Sequence, residues 1–148
     1  MPKAIFGRPV NATSPGGAHI SVNVVTLLKG KVVLFEKPGL PGGQDVGDLW
    51  FPWDYLEYGE SPEVAAKRAL KQWGRTEPKE MDLVEVFSMV PPGEDWQLDF
   101  QYVAELKGPP KNGDNVKSIK IIEHAQLPRM VGSLRRSDVK RYLSIAEL

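Results

Sequence analysis

The sequence contains no cysteine, which excludes disulfide bonds, thiolate metal sites and cysteine nucleophiles. It also has no excess of charge, because 19 lysines and arginines balance 19 aspartates and glutamates. No global field therefore draws the whole molecule to nucleic acid or to an anionic membrane. We recognise no apolar run long enough to span a bilayer and no signal peptide. These absences predict a cytoplasmic protein that has no contact with a membrane.

What is present is an ordinary globular composition, with 41% hydrophobic and 26% charged residues in a chain of 148. A chain of this length favours one domain around a single core. Residues 1–17 carry Pro2, Pro9 and Pro15 and end in two glycines, too many breakers for a regular element. We therefore predict an N-terminal arm at 1–17 and one domain at 18–148.

The hydrophobic pattern predicts strands on both sides of a turn at 29–31, and a short aromatic strand that Pro52 interrupts. A helix begins at Ser61-Pro62-Glu63, where serine can cap and proline suits the first turn, and runs to about Trp73. Further strands are predicted at 82–90, 96–106 and near 116–122, and an amphipathic helix at 137–146. This order predicts an α/β fold with a mixed sheet between helices.

Residues 50–76 resemble the signature of the Nudix (MutT-like) hydrolase superfamily. Glu60 takes the place of the first glutamate of the Nudix box, Arg68 falls eight positions later on its arginine, and Leu70 fills an apolar place. The resemblance implies a single-domain α/β/α sandwich with a mixed β-sheet. It also implies metal-dependent hydrolysis of nucleoside diphosphate-linked compounds as the chemistry of the family.

The sequence departs from that signature at Asp54, Ala69, Gln72, Trp73 and Arg75. In the family, the helix glutamates that Ala69, Gln72 and Trp73 replace hold Mg²⁺ or Mn²⁺ against the diphosphate. Hard divalent cations need anionic oxygens, and an alanine or a tryptophan side chain offers none. The departures predict a degenerate box, no bound metal cofactor, and a weak or inactive nucleotide-binding or regulatory protein.

Glu57, Glu60 and Arg68 are the residual box positions that we consider for a catalytic role. In one interpretation they form a remnant site, in which the arginine orients a carboxylate. In the other they form an ion pair that ties the turn to the helix, which suits the forked geometry of arginine.

Trp53, Asp54, Gln72 and Trp73 are the candidates for contact with a ligand. An indole beside the diphosphate cleft could stack on a base for roughly 1 to 3 kcal/mol. The alternative is that the two tryptophans pack into the cleft and fill it. Because Ala69 and Trp73 extend an apolar arc of the predicted helix, this helix face is most simply part of the core.

Two alternative functions stay open at this stage. The first is an active Mg²⁺- or Mn²⁺-dependent pyrophosphohydrolase with relocated carboxylates, in which Glu57 and Glu60 bind the metal, or a displaced set that includes Glu94 and Asp95. The second is an RNA- or protein-interaction module, since cations outnumber acids from Lys117 onward. The expected partner is a small-molecule nucleotide derivative rather than nucleic acid, and the resemblance makes a homodimer a further expectation.

Overall fold

The computed structural model describes residues 18–40, 48–90, 92–93 and 95–148. The arm predicted at 1–17, and Glu94 of the displaced metal set, lie outside these ranges. The described residues form one mixed sheet with a helix on each face, which confirms the predicted α/β class.

The strands and helices follow the predicted order. The strands are β1 (Ala18–Leu28), β2 (Lys31–Glu36), β3 (Leu49–Trp50), β4 (Trp53–Tyr55), β5 (Pro78–Met89), β6 (Trp96–Leu106), β7 (Ser118–Ile122), β8 (Met130–Val131) and β9 (Leu134–Arg135). Within the described ranges, the helices are α1 (Pro62–Gly74) and α2 (Arg136–Ile145), and a 3₁₀ turn lies at His124–Gln126. In the described part, neither helix has the length and apolarity that a bilayer crossing requires.

Strand β1 is the centre of the sheet, whose order is β3-β2-β1-β6-β5. It pairs in parallel with β6 over its whole length, from Ala18 opposite Trp96 to Leu27 opposite Glu105. Its other edge is shared, because the first half pairs antiparallel with β4 and the last residues pair antiparallel with β2. This fork places β4, which leads directly to α1, beside the start of β1.

Helix α1 forms because its first and last turns are both closed locally. The Ser61 side chain accepts a hydrogen bond from the Val64 N–H (3.3 Å), and Pro62 occupies the first turn, as predicted. At the other end Arg75 adopts a left-handed backbone (φ 48°) and its N–H donates to the Lys71 carbonyl at 3.0 Å. The face that meets the sheet is buried; it consists of Ala65, Ala66, Ala69, Leu70, Trp73 and Gly74.

Two apolar layers form on the two faces of the sheet, since successive side chains of a strand point to opposite faces. Val24 of β1 packs in the layer beneath α1, whereas its neighbour Val25 packs in the layer beneath α2. Phe35 and Trp73 belong to the first layer, and Tyr142 belongs to the second.

Two elements differ from the predictions. Strand β5 begins at Pro78 rather than at Asp82, because Pro78 opens an edge strand, where a missing N–H costs no ladder hydrogen bond. The short β8–β9 pair has no counterpart among the predictions, since two residues a strand are too few to show a hydrophobic period.

Candidate functional site

An ion-pair cluster ties β4 to the start of α1. Arg68 donates from Nη1 to Glu60 Oε2 and from Nε to Asp54 Oδ2 (3.2 Å), and its Nη2 donates to the Tyr55 carbonyl at 2.8 Å. Glu57 joins through its backbone, whose N–H donates to Glu60 Oε1 at 3.0 Å. The structure therefore brings Glu60, Arg68 and Asp54 together, while the side chain of Glu57 takes no part in this pairing.

The cluster stabilises its charges. The Glu57 backbone N–H and the Arg68 guanidinium hold the pKa of Glu60 below the usual range of a glutamate, although partial burial opposes this effect. Partial burial also opposes the charge of Arg68, but hydrogen bonds to Glu60 and Asp54 raise its pKa. The carboxylates of Glu60 and Asp54 therefore both pair with Arg68.

Trp73 is buried beneath the sheet-facing side of α1, with 3% of its surface exposed. Its ring meets Phe35 edge to face (centroids 6.2 Å apart), and its Nε1–H donates to the Trp53 carbonyl at 3.2 Å. Ala69 is fully buried beside it, whereas Gln72 is exposed on the last turn. Of the three positions where the family has helix glutamates, only Gln72 therefore presents a polar side chain to solvent.

A loop at 111–114 covers the end of α1. The N–H groups of Lys111, Gly113 and Asp114 donate to the last carbonyls of the helix at 2.8, 3.0 and 2.8 Å. The approach is so close that a Cβ on Gly113 would lie 1.9 Å from the Gln72 carbonyl oxygen. Backbone donors thus satisfy the helix carbonyls that would otherwise have no partner.

These residues do not fit a divalent metal ion. Ala69 has no ligand atom, the Trp73 nitrogen is a donor, and the Glu60 and Asp54 carboxylates are already held by a guanidinium that would repel a cation. Across the described ranges, no three histidine or acidic side chains converge as a possible metal site.

A cavity of about 300 Å³ lies at the start of β1, between β4 and β6. Trp50, Trp53 and Tyr55 form its aromatic side, with the rings of Trp53 and Tyr55 meeting edge to face at 5.3 Å between centroids. Trp53 is the sequence-predicted ligand candidate that lines it. The indole N–H groups of Trp50 and Trp53 are buried and have no hydrogen-bond acceptor among the described residues.

The floor of the cavity is a row of polar pairs across the parallel strands β1 and β6. Ser21 donates to Asp99 Oδ1, and Asn23 Nδ2 donates to Gln101 Oε1 at 3.1 Å. At the open end His19 Nε2 lies 3.1 Å from Asp95 Oδ2. The floor therefore offers carboxylate, hydroxyl and amide groups at the edge of an aromatic wall.

The chain was compared with known proteins. No protein-family model and no curated protein matches it. Solved structures do match, among them a MutT NUDIX hydrolase from Burkholderia pseudomallei, with a TM-score of 0.69 and 16% identity over 84% of this chain and 97% of that one. The fold is a Nudix fold. A NUDIX hydrolase from Nitrosomonas europaea has a TM-score of 0.65 and 17% identity over 86% of this chain and 89% of that one.

A third structure with this Nudix fold was solved with a ligand. It is the NUDIX domain of Shewanella oneidensis NrtR complexed with ADP ribose, with a TM-score of 0.67 and 16% identity over 84% of this chain and 86% of that one. At these identities the likeness establishes only the fold. The chemistry of the protein depends on the residues that this chain places in that fold.

The polar floor of the cavity was not predicted from the sequence, although the alternation of polar and apolar residues in two strands indicates it. His19, Ser21 and Asn23 alternate with apolar residues along β1, and Asp99 and Gln101 do the same along β6. The faces of both strands change from polar to apolar further along, at Val25 and Val103, which are buried. A strand face that is polar at one end and apolar at the other indicates a cavity rather than core at the polar end.

Several cations of the basic C-terminal part have partners within the chain. Lys117 lies 3.8 Å from Glu36, and Arg141 pairs with Glu85 at 2.8 Å. Arg135 pairs with Asp138 at 3.2 Å, and Arg136 Nε donates to the Leu127 carbonyl at 2.9 Å. These contacts leave fewer cations available to phosphate groups of RNA than the sequence indicates.

Proposed function

We propose that this protein binds a nucleoside diphosphate-linked molecule in the aromatic cavity and hydrolyses it weakly or not at all. One arrangement carries the proposal. A 300 Å³ cavity has an indole wall and a polar floor, and the helix that would carry the metal ligands holds Ala69, Gln72 and a buried Trp73 in their places.

The cavity suits a nucleobase because a base has flat π faces and a polar edge. The Trp53 ring offers a stacking surface, and such stacking contributes about 1 to 3 kcal/mol per base. Asp99 has a second carboxylate oxygen beyond the one that Ser21 engages, and the Asn23 and Gln101 amides offer further groups to a base edge. A volume of 300 Å³ is at the small end for ligand pockets, so phosphate groups would extend out of it.

The structural comparisons support the class of ligand. A domain with the same fold, from NrtR, was crystallised with ADP ribose, which joins a base to a second sugar through a diphosphate. ADP ribose is therefore the first ligand to test.

The absence of hydrolysis follows from the charges around α1. Cleavage of a diphosphate places negative charge on phosphoryl oxygens, which a bound cation normally neutralises. Here the carboxylates of Asp54 and Glu60 are engaged by Arg68, and Trp73 is part of the core. The alternative of relocated carboxylates would require Glu60 to leave this pair.

Isothermal titration calorimetry with ADP-ribose tests binding, and a product assay with Mg²⁺ or Mn²⁺ over nucleoside diphosphate derivatives tests hydrolysis. We expect binding without turnover. Turnover that is lost in Glu60→Gln, with the melting temperature of the variant recorded as a control, would instead support the metal-dependent enzyme. Failure of all nucleotides to bind would refute the proposal.

A further inference from the structure

Strand β5 forms an outer edge of the sheet. Within the described ranges it pairs with β6 alone, over almost all of its 12 residues. Its other side therefore presents backbone N–H and C=O groups that no described strand engages. A free edge of this length is a template on which a further strand can pair.

The last part of this edge exposes large apolar side chains to solvent. We call residues 86–90 the edge segment; their sequence is Val-Phe-Ser-Met-Val. The four apolar side chains of the edge segment are between 39% and 69% exposed. Folded proteins commonly protect a free edge with charged side chains or with proline, and the edge segment contains neither.

The exposed side chains lie on both faces of the sheet. Val86 is opposite Phe100 of β6, which packs against the apolar layer beneath α1. Phe87 is opposite Asp99, which lines the aromatic cavity on the other face. A helix on one face could cover only half of this set, whereas a strand added at the edge contacts side chains on both faces.

Acidic side chains are confined to the first part of β5. Glu80, Asp82 and Glu85 all precede the edge segment. Glu85 is already paired with Arg141 of α2, at 2.8 Å. An antiparallel copy of β5 would therefore meet the edge segment with its own apolar end and keep these carboxylates away from one another. Antiparallel pairing is also the arrangement that a two-fold axis imposes on two identical edges.

The alternation of the strand selects one register for such a pair. With Ser88 opposite Ser88 of the second copy, Val86 lies opposite Val90, and Phe87 lies opposite Met89. Each opposed pair then shares one face of the sheet, as strand geometry requires. All four apolar side chains of the edge segment meet apolar side chains, and the acidic part of β5 stays outside the paired segment.

We propose that β5 is a dimer interface, at which it pairs antiparallel with β5 of a second copy of this chain about a two-fold axis at Ser88. This inference goes beyond the proposed nucleotide binding and does not depend on it. One strand edge is a small interface, below about 1,200 Å². The dimer should therefore be weak, with a dissociation constant of about 1 to 100 µM.

The test is sedimentation velocity of the full chain at increasing concentration, up to about 500 µM. Wild type is compared with Val86→Glu and with Val90→Lys, which alter the two members of one opposed pair. Val64→Glu is the matched control, because Val64 is a valine on the first turn of α1 that is 54% exposed, against 48% for Val86. Melting temperatures establish that each variant is folded.

We expect wild type to pass from monomer to dimer as its concentration rises. Val86→Glu and Val90→Lys should each weaken the dimer by about tenfold or more, since a charge that faces an apolar side chain loses hydration without gaining a partner. An equimolar mixture of these two variants should regain most of the association, because their opposite charges then face each other. Val64→Glu should match wild type.

Wild type that stays monomeric at about 500 µM would refute the inference, because that concentration exceeds the expected dissociation constant. A dimer that neither Val86→Glu nor Val90→Lys weakens, or that Val64→Glu weakens equally, would show that the copies associate elsewhere. Assemblies larger than a dimer would also refute it, since a two-fold contact closes on itself. A mixture that fails to associate would overturn the register at Ser88. If Val86→Glu does not fold, Val90→Lys decides alone, because Val90 follows the end of β5.

Discussion

The indole nitrogen of Trp73 donates a hydrogen bond to the backbone carbonyl of Trp53 across 3.2 Å. This bond joins α1 to the strand that carries the wall of the aromatic cavity. A residue in the place of a box glutamate therefore acts here as a structural link, and its ring also supports the Lys37 ammonium. Its truncation should affect the fold before it affects any chemistry.

Trp73→Ala should lower the free energy of unfolding by about 3 to 5 kcal/mol, because it removes a large core side chain and leaves a cavity. Trp73→Phe is the matched variant, since it keeps an aromatic ring and loses the hydrogen bond, and should cost less than Trp73→Ala. Urea denaturation measures both values. A cost below about 1 kcal/mol for Trp73→Ala would show that the indole does not anchor α1, because surface changes have effects of that size.

Gly113→Ala should destabilise the protein by about 1 to 3 kcal/mol or more, because its new Cβ would meet the Gln72 carbonyl oxygen at 1.9 Å and force the covering loop away from α1. Gly108→Ala is the control, because a Cβ there meets no atom within 4 Å. Thermal melting of the two variants is the measurement. Equal melting temperatures would contradict the close approach of the loop to the helix.

The stability contributed by Glu60 should depend on pH. Because the folded protein lowers the pKa of Glu60, the contribution is fully present above the usual value of 4.5 and is lost as the pH falls through the lowered pKa. The difference in melting temperature between wild type and Glu60→Gln should therefore be largest near neutral pH and shrink in acid.

The control for this experiment is Glu63→Gln, on the same helix, whose exposed carboxylate pairs with Lys67 at 3.1 Å. Exposed pairs of this kind contribute roughly 0 to 1 kcal/mol, so its melting temperature should stay close to that of wild type. A difference for Glu60→Gln that stays constant from neutral to acid pH would rule out the proposed origin of the stabilisation.

Trp53→Ala should weaken ADP-ribose by about fivefold to a hundredfold, because one base-stacking surface contributes roughly 1 to 3 kcal/mol. Phe87→Ala is the control, since Phe87 is an aromatic residue on β5 that is 43% exposed and does not line the cavity. Calorimetry measures both affinities. If the two substitutions weakened binding equally, the cavity would not be the base site.

Addition of Mg²⁺ or Mn²⁺ should leave the melting temperature of the free protein unchanged, because a ligand stabilises a fold only as far as it binds the folded state. Differential scanning fluorimetry over a metal titration is the measurement. A rise that EDTA reverses, and that is absent in Glu60→Gln, would show that Arg68 can release its carboxylates to a metal ion.

Local pattern in the sequence was enough to predict most elements of this fold, although not the short β8–β9 pair. Ser61 and Pro62 mark the start of α1, and the alternation within 96–106 matches β6. An ion pair between the turn and the helix was one of two interpretations of Glu60 and Arg68, and Arg68 Nη1 does donate to Glu60 Oε2. Caps, turns and hydrophobic periods depend on residues a few positions apart, which one sequence displays directly.

The site depends on contacts between residues that are far apart along the chain, and only the tertiary structure could decide them. Ser21 and Asp99 are 78 positions apart, and they meet because β1 and β6 pair in parallel in one register. Lys37 reaches Trp73 because the end of β2 lies beneath the last turn of α1. Strand register is selected by the burial of the whole apolar face, a property of all the strands together that no short stretch of sequence contains.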